Sequence, residues 1–215
     1  MNIICFPHAG GQASSFYFMK KEGNFNVIPY EYSAHGSKIS ENAYETFNCA
    51  VQSIAEDIVR MDIDDILLFG HSMGAYIAYE VAYVLENQYQ KKISAVVVSG
   101  QVAPSKHIKS NIQNINDSEF LNYLVDMGGI QDEVKKNKEL LEVLLPIIRL
   151  DYMLLDSYQP DKTHIIKSPL YIFVGNEDRE VIETNLEEWK FFAKIFKGLI
   201  VFSGDHFYLH DNQRK

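Results

Sequence analysis

The chain has 215 residues, 47% of them hydrophobic and 23% charged, with a formal net charge of −9. That length suits one well-cored domain of ordinary globular composition. The acidic balance argues against nucleic acid, which needs a basic face, and no apolar run reaches the 18 residues of a membrane span.

The N-terminus, Met1-Asn2-Ile3-Ile4-Cys5-Phe6-Pro7, has no basic region and no small-residue cleavage site. Ile3–Phe6 therefore reads as a first strand rather than part of a signal peptide. Val27–Tyr32 is the second short apolar run. From Tyr44 the apolar positions Phe47, Val51, Ile54, Ala55, Ile58 and Met61 follow one face of a 3.6-residue repeat. Strands are predicted at Ile66–Phe69 and Ile93–Ser99, with a helix from Ala75 through Leu85 between them. From Ala103 to Lys167 no strand is predicted. Three helical pieces fill that stretch: Ser118–Met127, Asp132–Leu145 and Ile147–Tyr158. Asn116 and Asp117 offer caps to the first, Gly128-Gly129 ends it, and Pro146 separates the other two. Leu170–Val174 is a strand, Glu187–Phe196 a helix and Leu199–Phe202 the last strand.

Several runs are continuously apolar, as strands buried on both faces are. Strands alternating with helices predict an α/β fold: a mostly parallel sheet with helices on both faces. One domain over 1–215 is expected, with a helical lid insertion at about 103–167. Cys5 and Cys49 fall in a strand and a helix and read as reduced core thiols of a cytoplasmic protein. Lys135-Lys136-Asn137-Lys138 reads as a solvated helix face.

Gly70-His71-Ser72-Met73-Gly74 follows the apolar run Ile66–Phe69 and precedes a helix. This is a G-x-S-x-G pattern in the context it needs. A serine on a sharp strand-to-helix turn projects its hydroxyl from the top of a sheet. The flanking glycines let strand and helix pack closely, and the helix N-terminus offers free N–H groups to an oxyanion. Such a nucleophile needs a base, and the base an orienting acid, in the order serine, acid, histidine.

Seven histidines compete for the base. His71 leaves the elbow in another direction and packs or orients. His8 and His35 follow early strands and could line the rim. His107, His164 and His210 read as surface residues. His206 lies just past the end of a late strand, on the sheet edge that carries Ser72, and is the candidate base. Asp178 follows Leu170–Val174 at the same edge and is the candidate acid, with Glu177 in reserve. The Met73 amide is the first oxyanion donor. The second is expected from His8 or Ala9, in the turn Pro7-His8-Ala9-Gly10-Gly11. No Walker-type phosphate loop and no clustered metal-ligand spacing is present, so no metal and no cofactor are expected.

Phe6–Gly11, Phe69–Ala75, Val98-Ser99-Gly100 with Ala103-Pro104, Leu150-Asp151-Tyr152 and Ser203–Phe207 together resemble the type II thioesterases. Those are stand-alone α/β hydrolases that accompany nonribosomal peptide and polyketide synthases. The resemblance implies an α/β-hydrolase fold and hydrolysis of acyl thioesters on the phosphopantetheine arm of acyl or peptidyl carrier protein domains. By position it implies Ser72 as nucleophile, His206 as base and Asp178 as acid. Met73 with His8 or Ala9 would form the oxyanion hole, and the insertion would be a lid over the acyl channel. The implied partner is an acidic carrier protein, so docking needs a local basic or apolar patch, such as Lys20-Lys21 or Lys135–Lys138. A monomer is expected, without nucleic acid or membrane. Two departures stand out. Tyr32–Gly36 replaces a Pro-Gly-Arg-Gly-like turn, and only nine residues follow His206, where the family continues into a closing helix that Phe207–His210 begins. Rival readings are a carboxylesterase or lipase on small oxygen esters, a medium-chain fatty acyl-carrier-protein hydrolase, and a non-catalytic scaffold.

Overall fold

A computed structural model describes residues 1–21, 24–130, 132–181 and 186–211. Its centre is one six-stranded sheet: β1 (Asn2–Phe6), β2 (Asn26–Pro29), β3 (Ile66–His71), β4 (Ile93–Ser99), β5 (Ile166–Gly175) and β6 (Ala193–Phe202). The spatial order is β2-β1-β3-β4-β5-β6, and all five pairings are parallel. Parallel strands put every strand-to-helix loop at one edge. The turns after β1, β3, β5 and β6 therefore share the carboxyl side of the sheet, where α/β folds build their sites.

The helices are α1 (Phe47–Arg60), α2 (Met73–Asn87), α3 (Asp117–Asp126), α4 (Asp132–Lys135), α5 (Lys138–Asp156) and α6 (Tyr208–Asp211). One sheet face is closed by α1 and α2, whose apolar sides join Ile4, Leu68, Val96 and Ile172 in the main core. The α2 helix is buried almost along its length and carries two buried carboxylates. Glu86 accepts the N–H groups of Lys167 and Ser168, while Glu80 accepts the Tyr158 hydroxyl. Both carboxylates thus tie the chain around the start of β5 to the central helix, satisfying groups that burial would otherwise penalise. The other face is covered by the 3₁₀ helix Ala13–Lys21, through Phe16, Phe18 and Met19, and by Leu209. Between β4 and β5, α3 and α5 form a small core of their own around Phe120, Leu124, Leu141 and Ile148.

Several predicted boundaries are corrected. Pro146 does not divide two helices; it lies inside α5. Its ring leaves the Glu142 carbonyl without an intrahelical donor, but both residues are exposed, where water can bond that carbonyl. The break falls earlier, where Asn137 caps α5 by accepting the Leu140 N–H. Glu187–Phe196 is not a helix. A 3₁₀ helix spans Leu186–Phe192, burying Leu186, Trp189 and Phe192 at its three-residue period, and β6 begins at Ala193. Pairing with β5 overrides the helical pattern there. At the sheet edge β6 leaves Leu199, Ile200 and Val201 exposed, unlike a strand buried on both faces. The second strand stops at Pro29 rather than Tyr32. Cys5 is a core thiol, but Cys49 is exposed on α1.

Candidate active site

At the end of β3 the chain turns straight into α2, and Ser72 sits at the corner with φ 56° and ψ −119°. A non-glycine residue held there stores strain on the order of 1–3 kcal/mol, which the surrounding packing must enforce. The flanking glycines show how. A Cβ on Gly70 would lie 1.8 Å from the Gly74 carbonyl oxygen, and one on Gly74 would lie 2.1 Å from that of Phe6. No other residue fits either position, so the G-x-S-x-G spacing is a packing requirement of the turn. Met73, immediately after Ser72, is the first residue of α2, where helical N–H groups have no intrahelical acceptor.

The loops after β5 and β6 bring an acid and a base together. His206 Nδ1 lies 2.9 Å from Asp178 Oδ2, and the carboxyl is fully buried. Asp178 Oδ1 also accepts the Glu180 N–H at 3.0 Å. Glu177 is exposed, and only its backbone N–H contributes, to the Gly204 carbonyl.

Ser72 and His206 line one small cavity together with His8, Ala9, Leu124, Met127, Ile148 and Tyr152. Its volume is about 30 Å³, room for a water molecule and not for an acyl group. The loop after β1 and the helices α3 and α5 thus meet directly over Ser72. Of the sequence-predicted residues, Ser72, His206, His8 and Ala9 share this cavity, Asp178 backs it through His206, and Met73 adjoins it in sequence.

The other histidines divide by contact. His71 packs, as expected: its Nδ1 lies 3.0 Å from Ser99 Oγ, which lies 2.6 Å from the Tyr208 hydroxyl, and its ring is 5.0 Å from that of His206. His35 is not at the rim. It is buried and lies 2.9 Å from Asp151 of α5. Nor are His107 and His164 surface residues. Both are half-buried; His107 meets the Tyr76 ring, and His164 stacks on Tyr83 and contacts Glu80 at 2.7 Å. The His210 side chain lies outside the described residues. Sequence reasoning gave no role to Ser99, Tyr208 or Asp151. The signals for Asp151 were its place in Leu150-Asp151-Tyr152 and a carboxylate among the apolar positions Ile147, Ile148, Leu154 and Leu155.

Among the described residues no cluster of His, Cys, Asp or Glu could hold a metal ion, and no helix is long and apolar enough to cross a membrane.

The model of the thioesterase domain family matches residues 1–215. The chain belongs to the thioesterase domain family. Thioesterase PikA5 of Streptomyces venezuelae is 28% identical over 218 residues, covering 98% of this chain and 76% of that protein. Linear gramicidin dehydrogenase LgrE of Brevibacillus parabrevis is 28% identical over 221 residues, covering 99% of this chain and 83% of that protein. The crystal structure of ClbQ, from the colibactin NRPS/PKS pathway, superposes with a TM-score of 0.90 at 26% identity, covering 99% of this chain and 92% of that one. The fold is therefore that of thioesterases of the α/β-hydrolase type.

Proposed function

We propose that this protein is a serine-dependent thioesterase that cleaves acyl groups from the phosphopantetheine arm of carrier protein domains, acting in the cytoplasm beside a nonribosomal peptide or polyketide synthase. The observation that carries this reading is the strained Ser72 sharing a cavity with His206, whose other ring nitrogen is held by buried Asp178. The full-length family match and the pathway named for ClbQ support the substrate class.

In this reading His206 takes the Ser72 proton through Nε2 as Oγ attacks the thioester carbonyl. Asp178 holds the ring through Nδ1 and stabilises the imidazolium. The Met73 N–H, with that of His8 or Ala9, meets the charge that develops on the carbonyl oxygen. The thiol leaves with the proton from His206. Water, deprotonated by His206, then attacks the acyl-serine, and the released serine regains its proton. An acyl group entering the cavity over Ser72 meets Leu124 of α3 and Ile148 and Tyr152 of α5. Lys20, Lys135, Lys136 and Lys138 are exposed and available to an acidic partner; the Lys21 side chain lies outside the described residues.

The test compares kcat/KM on an acetyl-loaded carrier protein with that on a nitrophenyl ester. Preference for the carrier thioester is expected. A large preference for the oxygen ester would make the protein a general esterase instead.

A further inference from the structure

One carboxylate oxygen joins three parts of the molecule. Asp151 Oδ2, on α5, accepts the Gly10 N–H at 2.7 Å and lies 2.9 Å from His35 Nε2. Both residues are buried, His35 at 3% and Asp151 at 4% exposure. The other ring nitrogen, His35 Nδ1, lies 3.0 Å from the Ser33 carbonyl oxygen. A carbonyl and an ionised carboxylate can only accept, so both ring nitrogens must carry protons to satisfy both contacts. With Asp151 ionised, the arrangement fits an imidazolium and no neutral tautomer.

Gly10 is itself held tightly. Its φ is +75°, and a Cβ there would lie 2.4 Å from Ile148 Cγ1, one turn before Asp151 on α5. Gly10 directly follows His8 and Ala9, which line the Ser72 cavity with Ile148 and Tyr152.

We propose that His35 and Asp151 are positioning residues: their ion pair locks the His8–Gly10 backbone against α5, in the place where it must meet the developing oxyanion. The lock closes only while His35 is protonated. The role in turnover rests on the thioesterase reading above. The groups facing His35 are Asp151 from α5, Glu31, the Ser33 carbonyl and the Tyr32 ring from its own segment, and Tyr44 across a small cavity. Burial disfavours the charged ring, but the Asp151 contact and charge, with Ser33 and Glu31, outweigh it and hold His35 above its ordinary value. The lock is therefore complete below about pH 6.5 and is lost as pH rises through the higher folded-state value.

The test measures kcat against pH on an acetyl-loaded carrier protein for wild type, His35→Arg, His35→Gln and Asp151→Asn. Wild type should lose rate on the alkaline side. His35→Gln and Asp151→Asn should lower kcat roughly 10- to 100-fold with little change in KM, the scale of a misplaced catalytic group. The always-charged arginine should restore rate and remove the alkaline limb. An alkaline limb unchanged in His35→Gln overturns the proposal. A second readout needs neither variants nor turnover. In wild-type NMR spectra His35 should hold two ring protons at pH 6, below its ordinary value, and the Gly10 amide should shift with the His35 titration. A neutral ring at pH 6, or a Gly10 amide indifferent to the titration, contradicts the lock even if the carrier assay fails and the function reading with it.

Discussion

His206 Nδ1 lies 2.9 Å from Asp178 Oδ2, with the histidine ring almost wholly buried and the carboxyl completely so. A buried ionised carboxylate there needs a donor, which fixes the proton on Nδ1 and leaves Nε2 as the acceptor. Asp178→Asn would keep the shape and invert that preference. A kcat loss of about 10⁴-fold is expected, by analogy with serine-hydrolase triads, with the circular dichroism spectrum unchanged. Exposed Glu177→Gln should alter kcat little. The reverse pattern would transfer the acid role to Glu177.

The elbow makes a stability prediction. In Gly74→Ala the new Cβ would meet the Phe6 carbonyl oxygen, a backbone atom fixed in the sheet. Overpacking of this kind should cost about 3 kcal/mol, read as a lower urea midpoint. An unchanged midpoint would mean that the β1–α2 approach is looser than described.

The two thiols should differ in reactivity. Burial pushes the Cys5 thiol up to about 12, whereas Cys49 is exposed. Native protein should titrate one thiol with a disulfide reagent at pH 8, and two in denaturant. Rapid labelling of both in the native state would contradict the burial of β1.

His164 gives stability a pH dependence. Its contact with Glu80 raises its pKa; partial burial opposes this, and the charges of Glu80 and Asp161 add to the rise. A raised histidine contributes fully below its unfolded value and loses that contribution as pH rises through the folded one. His164→Ala should therefore destabilise on the order of 1 kcal/mol more at pH 6 than at pH 9. An equal loss at both values would leave only ring stacking on Tyr83.

Much of this was legible in the chain. The inner strands appear as short apolar runs because they are covered on both faces, whereas edge strand β6, with Leu199, Ile200 and Val201 exposed, was legible only at its Leu199–Phe202 end. Ser72, Asp178 and His206 could be named because parallel topology puts strand ends at one edge, so a loop position implies a place. What failed was decided by tertiary contact. Leu186, Trp189 and Phe192 repeat every three residues, which a helix reading absorbs, until pairing with β5 converts the chain to strand at Ala193. His35 and Asp151 lie 116 residues apart. No local pattern couples them: His35 reads as a rim residue, and Asp151 stands in Leu150-Asp151-Tyr152 with no partner assigned. Glu80 and Glu86 were invisible for the same reason, since their partners arrive from the far end of the insertion.

In the proposed reaction Ser72 carries thioester hydrolysis on a carrier protein. The decisive measurement is intact-protein mass spectrometry of an acetyl-loaded carrier, incubated with wild type and with Ser72→Ala. Loss of the acetyl mass with wild type only is expected, with Ser72→Ala slower on the order of a million-fold. Equal loss with both proteins, or no loss with wild type, would contradict it.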